Sequence, residues 1–230
     1  MQEPRLLFEL LEHQQRRHPL DYAFASKEQG TWKRYSTAQA LDEINQVALG
    51  LIAMGLQPGD RIATVSNNRP EWNFLDLAML QVGGVHVPLY PTITDQDYRY
   101  ILEHAEVRWV MVSDASLYER IAPIAREFPH IAGVYTFNRV PGAQHWSEIK
   151  AAARPDLNQE LANRRAAIQK EDTATIIYTS GTTGFPKGVM LSHHNIMSNL
   201  LAAAVRVPCK AGDKSLSFLP LNHIYERMLT

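Results

Sequence analysis

Apolar spacing along the chain sets the first expectations. Leu6, Leu7, Leu10 and Leu11 share one helical face, which predicts an amphipathic helix at the N-terminus. Residues 22–36 place aromatic and β-branched side chains on either side of Gln29-Gly30, which predicts a hairpin. Ser36 and Gln39 form an S-x-x-Q capping box, and Gly55 stands where a helix C-terminus favours glycine. Between them Leu41, Ile44, Val47, Ala48, Leu51 and Ile52 keep the helical period. Strand and helix then alternate: a strand at 61–66, a helix over 70–81 with Pro70 in its first turn, and a strand at 85–89. A helix over 95–105, a strand at 107–112, a helix over 116–127 and a strand at 133–137 continue the series.

Such alternation with short connections predicts an α/β fold, a parallel sheet wound with helices on both faces. The more polar stretch 141–170 reads as loop plus one or two surface helices and is the natural boundary. It divides an N-terminal α/β sub-region, 1–170, from the start of a second sub-region, 171–230. The second part opens with a strand at 173–178 and a glycine-rich loop, and a helix follows in SHHNIMSNLLAAAVRV. A further strand is predicted at 214–219 and a helix from near Asn222.

Composition narrows the classes. With 45% hydrophobic and 20% charged residues the chain has ordinary globular character. A net charge of −1, from 23 basic and 24 acidic residues, gives no basic excess for nucleic acid. The single cysteine, Cys209, can form neither an intrachain disulfide nor a cysteine metal site, which points to a reducing cytoplasm. Asp76, Gln81, His86 and Arg206 interrupt the longest apolar stretches, so neither reaches the roughly 20 residues of a membrane helix. Peripheral contact with the inner face of a membrane stays open.

The stretch YTSGTTGFPKG, residues 178–188, carries the chemistry. A phosphate needs several donors converging at close range. Gly181, Gly184 and Gly188 let backbone N–H groups approach, while Thr179, Ser180, Thr182 and Thr183 supply four hydroxyls and Lys187 a fixed positive charge. Hydrogen bonds to a charged group contribute on the order of 1.5–3 kcal/mol each. A strand–loop–helix order around this segment would match other nucleotide-binding folds. The spacing is not that of a Walker A loop: the fifth residue after Gly181 is Pro186, and Lys187 is followed by Gly188 rather than Ser or Thr. Kinase and GTPase readings lose support. The plain alternative is a flexible Gly/Thr surface loop with a solvated lysine.

TSGTTGFPKGVMLSHHN, with its preceding strand, resembles the signature of the adenylate-forming (AMP-binding) superfamily. FLPLNHIYERM, residues 218–228, is similar to the next core motif in its AMP-forming long-chain fatty-acid–CoA ligase branch. GDRIATVSNNRPEW and GGVHVPLYPT are similar to that branch too, so the resemblance runs from about Tyr35 to Thr230 and covers the N-terminal portion of the fold.

The resemblance implies a two-step ligase using ATP, magnesium and coenzyme A. A fatty-acid carboxylate is activated to an acyl-adenylate, and the thiol of coenzyme A then displaces AMP. Thr179, Ser180, Gly181, Thr182, Thr183, Gly184 and Lys187 would hold the β- and γ-phosphates. His223 would lie near the adenylation centre; the structural alternative is a histidine capping the helix that follows. Glu226 and Arg227 read as a pair on a helix face, and His193 and His194 as helix-start residues without a third metal-ligand partner. Magnesium, ribose and hinge elements, with a small C-terminal domain, are implied beyond position 230. The chain by itself is therefore expected to be inactive and to self-associate through an exposed sheet edge. Two other readings are a non-catalytic nucleotide-binding or interaction module and a ligase for a different carboxylic acid.

Overall fold

The computed structural model describes residues 3–28, 30–180, 184–207, 210 and 212–229. Its elements run α1 (Glu9–Arg17), β1 (Phe24–Glu28), β2 (Thr31–Tyr35), α2 (Thr37–Ala53), β3 (Arg61–Val65) and α3 (Pro70–Gln81). Next come β4 (Val85–Leu89), α4 (Asp95–His104), β5 (Val107–Val112), α5 (Ala115–Ala125) and β6 (Gly133–Thr136). The chain continues through β7 (Gln144–His145), α6 (Ser147–Ala151), a 3-10 turn and α7 (Asn158–Ala167). It finishes with β8 (Thr173–Thr179), β9 (Lys187–Ser192), α8 (His193–Ala204) and α9 (Ile224–Leu229).

Among the described residues seven strands form one sheet in the order β7-β6-β5-β3-β4-β8-β9, and β1-β2 form a separate antiparallel hairpin. Every neighbouring pair from β7 to β8 is parallel, and β9 alone runs antiparallel, against β8. The α/β architecture with a mostly parallel sheet is therefore as the alternating pattern requires. Helices cover both faces. One apolar layer joins α2, α3 and α6 to the sheet through Ile44, Leu51, Phe74, Met79, Trp109 and Ile149. The other joins α4 and α5 through Tyr98, Ile101, Leu102, Ile121 and Ile124.

Local signals start the helices. Ser36 accepts from the Gln39 N–H at 3.1 Å while the Gln39 side chain accepts from the Ser36 N–H at 2.9 Å. Thr94 and Ser192 cap α4 and α8 in the same reciprocal way. Helix α2 ends at Met54, and Gly55 follows with φ +84°, the left-handed turn that glycine tolerates. Helix α3 is buried on nearly all sides. Its polar residues must then find partners, because an unpaired polar group away from water costs several kcal/mol. Glu71 meets Arg69, Lys33 and Tyr35, Asp76 meets His86 and Arg227, and Gln81 accepts from Arg165.

Four expectations change. The strand predicted at 214–219 is absent: residues 213–220 belong to no helix or strand. Leu6 and Leu7 precede α1 rather than belonging to it, and are buried with Phe8 against α8. Arg227 pairs with Asp76 across the fold, a partner that the helix-face reading did not name. The glycine-rich segment leads into β9, not into a helix; α8 begins only at His193.

Candidate functional site

Strand β8 ends at Thr179 and β9 begins at Lys187, with Thr179 paired directly opposite Lys187. The glycine-rich segment is thus the connection of a β-hairpin, placed at the carboxyl end of β8. In open α/β sheets, ligands bind beyond the carboxyl ends of the parallel strands. Since no helix N-terminus follows the segment, a phosphate there would depend on backbone N–H groups, hydroxyls and Lys187 rather than on a helix dipole. Thr179, Ser180, Gly184 and Lys187 are exposed, and Gly184 has φ +91°. Gly181, Thr182 and Thr183, like Cys209, lie outside the described residues.

A cleft of about 190 Å³ opens beside this hairpin. Thr179, Ser180, Gly184 and Pro186 line it from the loop, and Tyr90 and Asp97 from beyond β4. An aromatic group holds the hairpin to α4. The Tyr178 hydroxyl lies 2.7 Å from His104 Nδ1, and burial pushes that phenol up to about 12, so it stays protonated. His104 stacks on Tyr100 at 5.2 Å, and Tyr100 meets Phe185 of the loop at 5.2 Å. A larger cavity of about 710 Å³ opens at the amino ends of the strands, beside Arg61, Val85, Glu106 and Thr173. Tyr178 and Gly188 of the glycine-rich stretch reach it, whereas Thr179, Ser180, Gly184 and Lys187 do not line it.

The second motif docks elsewhere. His223 is exposed at the start of α9, and its Nδ1 accepts from the Tyr225 N–H at 3.3 Å. The capping geometry is therefore present, and it leaves the ring proton on Nε2. His223 does not line the 190 Å³ cleft, nor does Lys187. Behind His223, the Asp76 carboxylate receives Arg227 through Nε at 2.9 Å and Nη2 at 2.6 Å. Burial pushes the Asp76 carboxyl up, but Arg227 and His86 outweigh it and hold it below the usual range. Burial likewise lowers His86, so its imidazole is neutral. An ionised carboxylate only accepts, so Nδ1 carries the His86 proton and Nε2 accepts from the Thr64 hydroxyl, 2.7 Å away.

His193 opens α8 but is buried, its Nδ1 accepting from the Leu7 N–H at 3.3 Å. Burial lowers it to about 4. Among the described residues no group of three or more His, Cys, Asp or Glu could hold a metal ion. No helix among them is long and apolar enough to cross a membrane. The roles of Asn68, Asp76 and His104 are not readable from spacing, since each meets a partner 74 or more residues away.

A mostly parallel sheet with helices on both faces, and a glycine- and threonine-rich hairpin beyond a strand's carboxyl end, defines an α/β protein. Residues 11–230 match the family model described as AMP-binding enzyme, and the chain belongs to that family. It is 36% identical over 205 residues to long-chain-fatty-acid–CoA ligase FadD15 of Mycobacterium bovis, covering 87% of this chain and 34% of that protein. It is 32% identical over 205 residues to long chain acyl-CoA synthetase 6, peroxisomal, of Arabidopsis thaliana, with 86% and 29% covered. The ATP-bound crystal structure of MatB from Rhodopseudomonas palustris aligns with a TM-score of 0.77 at 30% identity, covering 99% of this chain and 42% of that one. The chain spans about a third of the length of the two relatives.

Proposed function

We propose that this chain supplies the phosphate-holding part of an ATP-dependent fatty-acid–CoA ligase. In the first step the carboxylate oxygen of a long-chain fatty acid attacks the α-phosphorus of ATP; the bond to the bridging oxygen breaks and pyrophosphate leaves. In the second, the coenzyme A thiol attacks the acyl carbon, AMP leaves with the carboxyl oxygen, and a thioester remains. Thr179, Ser180, Gly181, Thr182, Thr183, Gly184 and Lys187 hold the β- and γ-phosphates and offset their charge. His223 offers its Nε2–H near the reacting carboxylate. The division into sub-regions 1–170 and 171–230 belongs to the same reading. Among the described residues no group of three or more His, Cys, Asp or Glu could hold magnesium.

The observation that carries this reading is the hairpin itself, with two glycines and three hydroxyls between its strands, Thr179 at its entry and Lys187 at its exit, beyond the carboxyl end of a parallel strand. Similarity to fatty-acid–CoA ligases favours a fatty acyl substrate over other acids. The test is an ATP titration of the purified 230-residue chain. Phosphate contacts alone hold a solvated polyanion weakly, so wild type is expected to bind in the millimolar range. Lys187→Ala should weaken binding by roughly tenfold, the loss of one charge-assisted contact. Equal affinity for both proteins would overturn the assignment of the loop.

A further inference from the structure

His223 is carried by a segment with little backbone scaffolding of its own, since residues 213–220 form neither helix nor strand. Its placement depends on side chains from a neighbouring element, and two do the work. The Asn68 carboxamide donates to the Leu219 carbonyl at 2.6 Å and to the Ser217 hydroxyl at 3.0 Å, and accepts from the Leu221 N–H at 3.0 Å. Eight residues further on, Asp76 holds Arg227 at the far end of the motif. Both belong to α3 and the loop that leads into it.

The Asn68 contacts have a particular form. A carbonyl and an N–H on either side of Pro220 are met by one planar amide, as they would be by a residue of a parallel strand. Pro220 has no N–H of its own to offer. A carboxamide is required, because donation and acceptance are needed together: aspartate only accepts, and alanine does neither. The loop bearing Asn68 is itself fixed. Arg69 Nε binds Glu71 at 2.9 Å, and its Nη1 binds Asn138 at 2.9 Å, with the guanidinium over the Phe137 ring. Glu71 is buried and also receives Lys33 at 3.2 Å.

We propose that Asn68 is a positioning residue for His223. Its carboxamide stands in for a missing strand partner and fixes the point at which α9 presents the imidazole, while Asp76 and Arg227 fix the other end. The functional consequence rests on the role proposed for His223; the positioning itself does not.

The test uses the chain labelled with 15N and with 13C at histidine Cε1, the His223 signal being assigned with His223→Gln. In Asn68→Ala the Leu221 amide should exchange roughly tenfold faster, the loss of one net hydrogen bond. The His223 ring signal should move, and the His193 signal should not. Asn68→Asp, which keeps the acceptor, should retain Leu221 protection and move the His223 signal less; it serves as the reading if the alanine variant fails to fold. Leu161→Ala, a core truncation on α7, controls for general destabilisation. Leu221 exchange and the His223 signal unchanged in folded Asn68→Ala, a His223 signal unmoved in folded Asn68→Asp, or either signal changed equally by Leu161→Ala would overturn the proposal. Adding an acyl-sulfamoyl adenosine to wild type separates the two claims. A His223 signal that ignores it sinks the catalytic reading, while the exchange data still decide the positioning.

Discussion

His86 Nδ1 stands 2.7 Å from Asp76 Oδ1 while its Nε2 stands 2.7 Å from Thr64 Oγ1. The distances are those of an acid–base–nucleophile triad. Burial decides otherwise: Thr64 and His86 are each 0% exposed, inside the sheet, where no substrate reaches. The same Asp76 carboxylate carries Arg227, so the group joins β3, β4, α3 and α9 and serves cohesion.

Asp76→Ala is accordingly expected to destabilise the chain by about 3–5 kcal/mol, because it strands Arg227, whose side chain is 5% exposed, without a counter-charge. Urea denaturation checks this. Adding Arg227→Met should recover part of the loss, since the two residues share one interaction. Strict additivity would show that the pair is not coupled.

Acid should weaken the fold through His193. Its folded value, about 4, lies below the ordinary 6.5, so the unfolded chain binds the extra proton between those limits. Stability from this group is complete above pH 6.5 and is lost as pH falls toward 4, by about 3 kcal/mol at most. His193→Gln should flatten the stability–pH curve in that window. His86, buried and lowered in the same sense, leaves a residual slope.

Gly50 marks the closest approach of α2 to α6. A Cβ there would lie 1.9 Å from the Ile149 carbonyl oxygen, which is backbone and can move only with its helix. Gly50→Ala should therefore cost about 3 kcal/mol or more, against the usual gain from alanine in a helix. Thermal melting of the variant checks it, and an unchanged or raised midpoint would contradict the packing.

Phe185 separates stability from binding. Its ring is 57% exposed yet meets Tyr100, fastening the loop to α4. Phe185→Ala should leave stability within about 0.5 kcal/mol of wild type. ATP binding should weaken about threefold, as an aromatic pair contributing roughly 0.5–1.5 kcal/mol is lost from the loop's anchorage.

The difference between what was legible and what was not follows the range of each signal. The capping boxes at Ser36 and Ser192, Pro70 at a helix start and Gly55 at a helix end act within one turn, and alternating apolar runs name strands and helices one at a time. The loop chemistry of 178–188 is local too. Strand β9 escaped because GVMLS is short and apolar, and only its ladder with β8 distinguishes it from a helix start. The polar stretch 141–170 hides Trp146, Ile149 and Leu161, which cover α2.

By itself, then, the sequence determined the alternating α/β class, most helix boundaries and the residue types of a phosphate loop, because these rest on neighbours a few positions apart. Only the tertiary structure decided that the loop joins two antiparallel strands, that His223 both caps α9 and stands exposed, and that Asp76 pairs with Arg227, 151 residues away. Those choices come from burial. A carboxylate inside the protein must meet a cation, and an irregular segment must borrow its hydrogen bonds, whatever the distance along the chain.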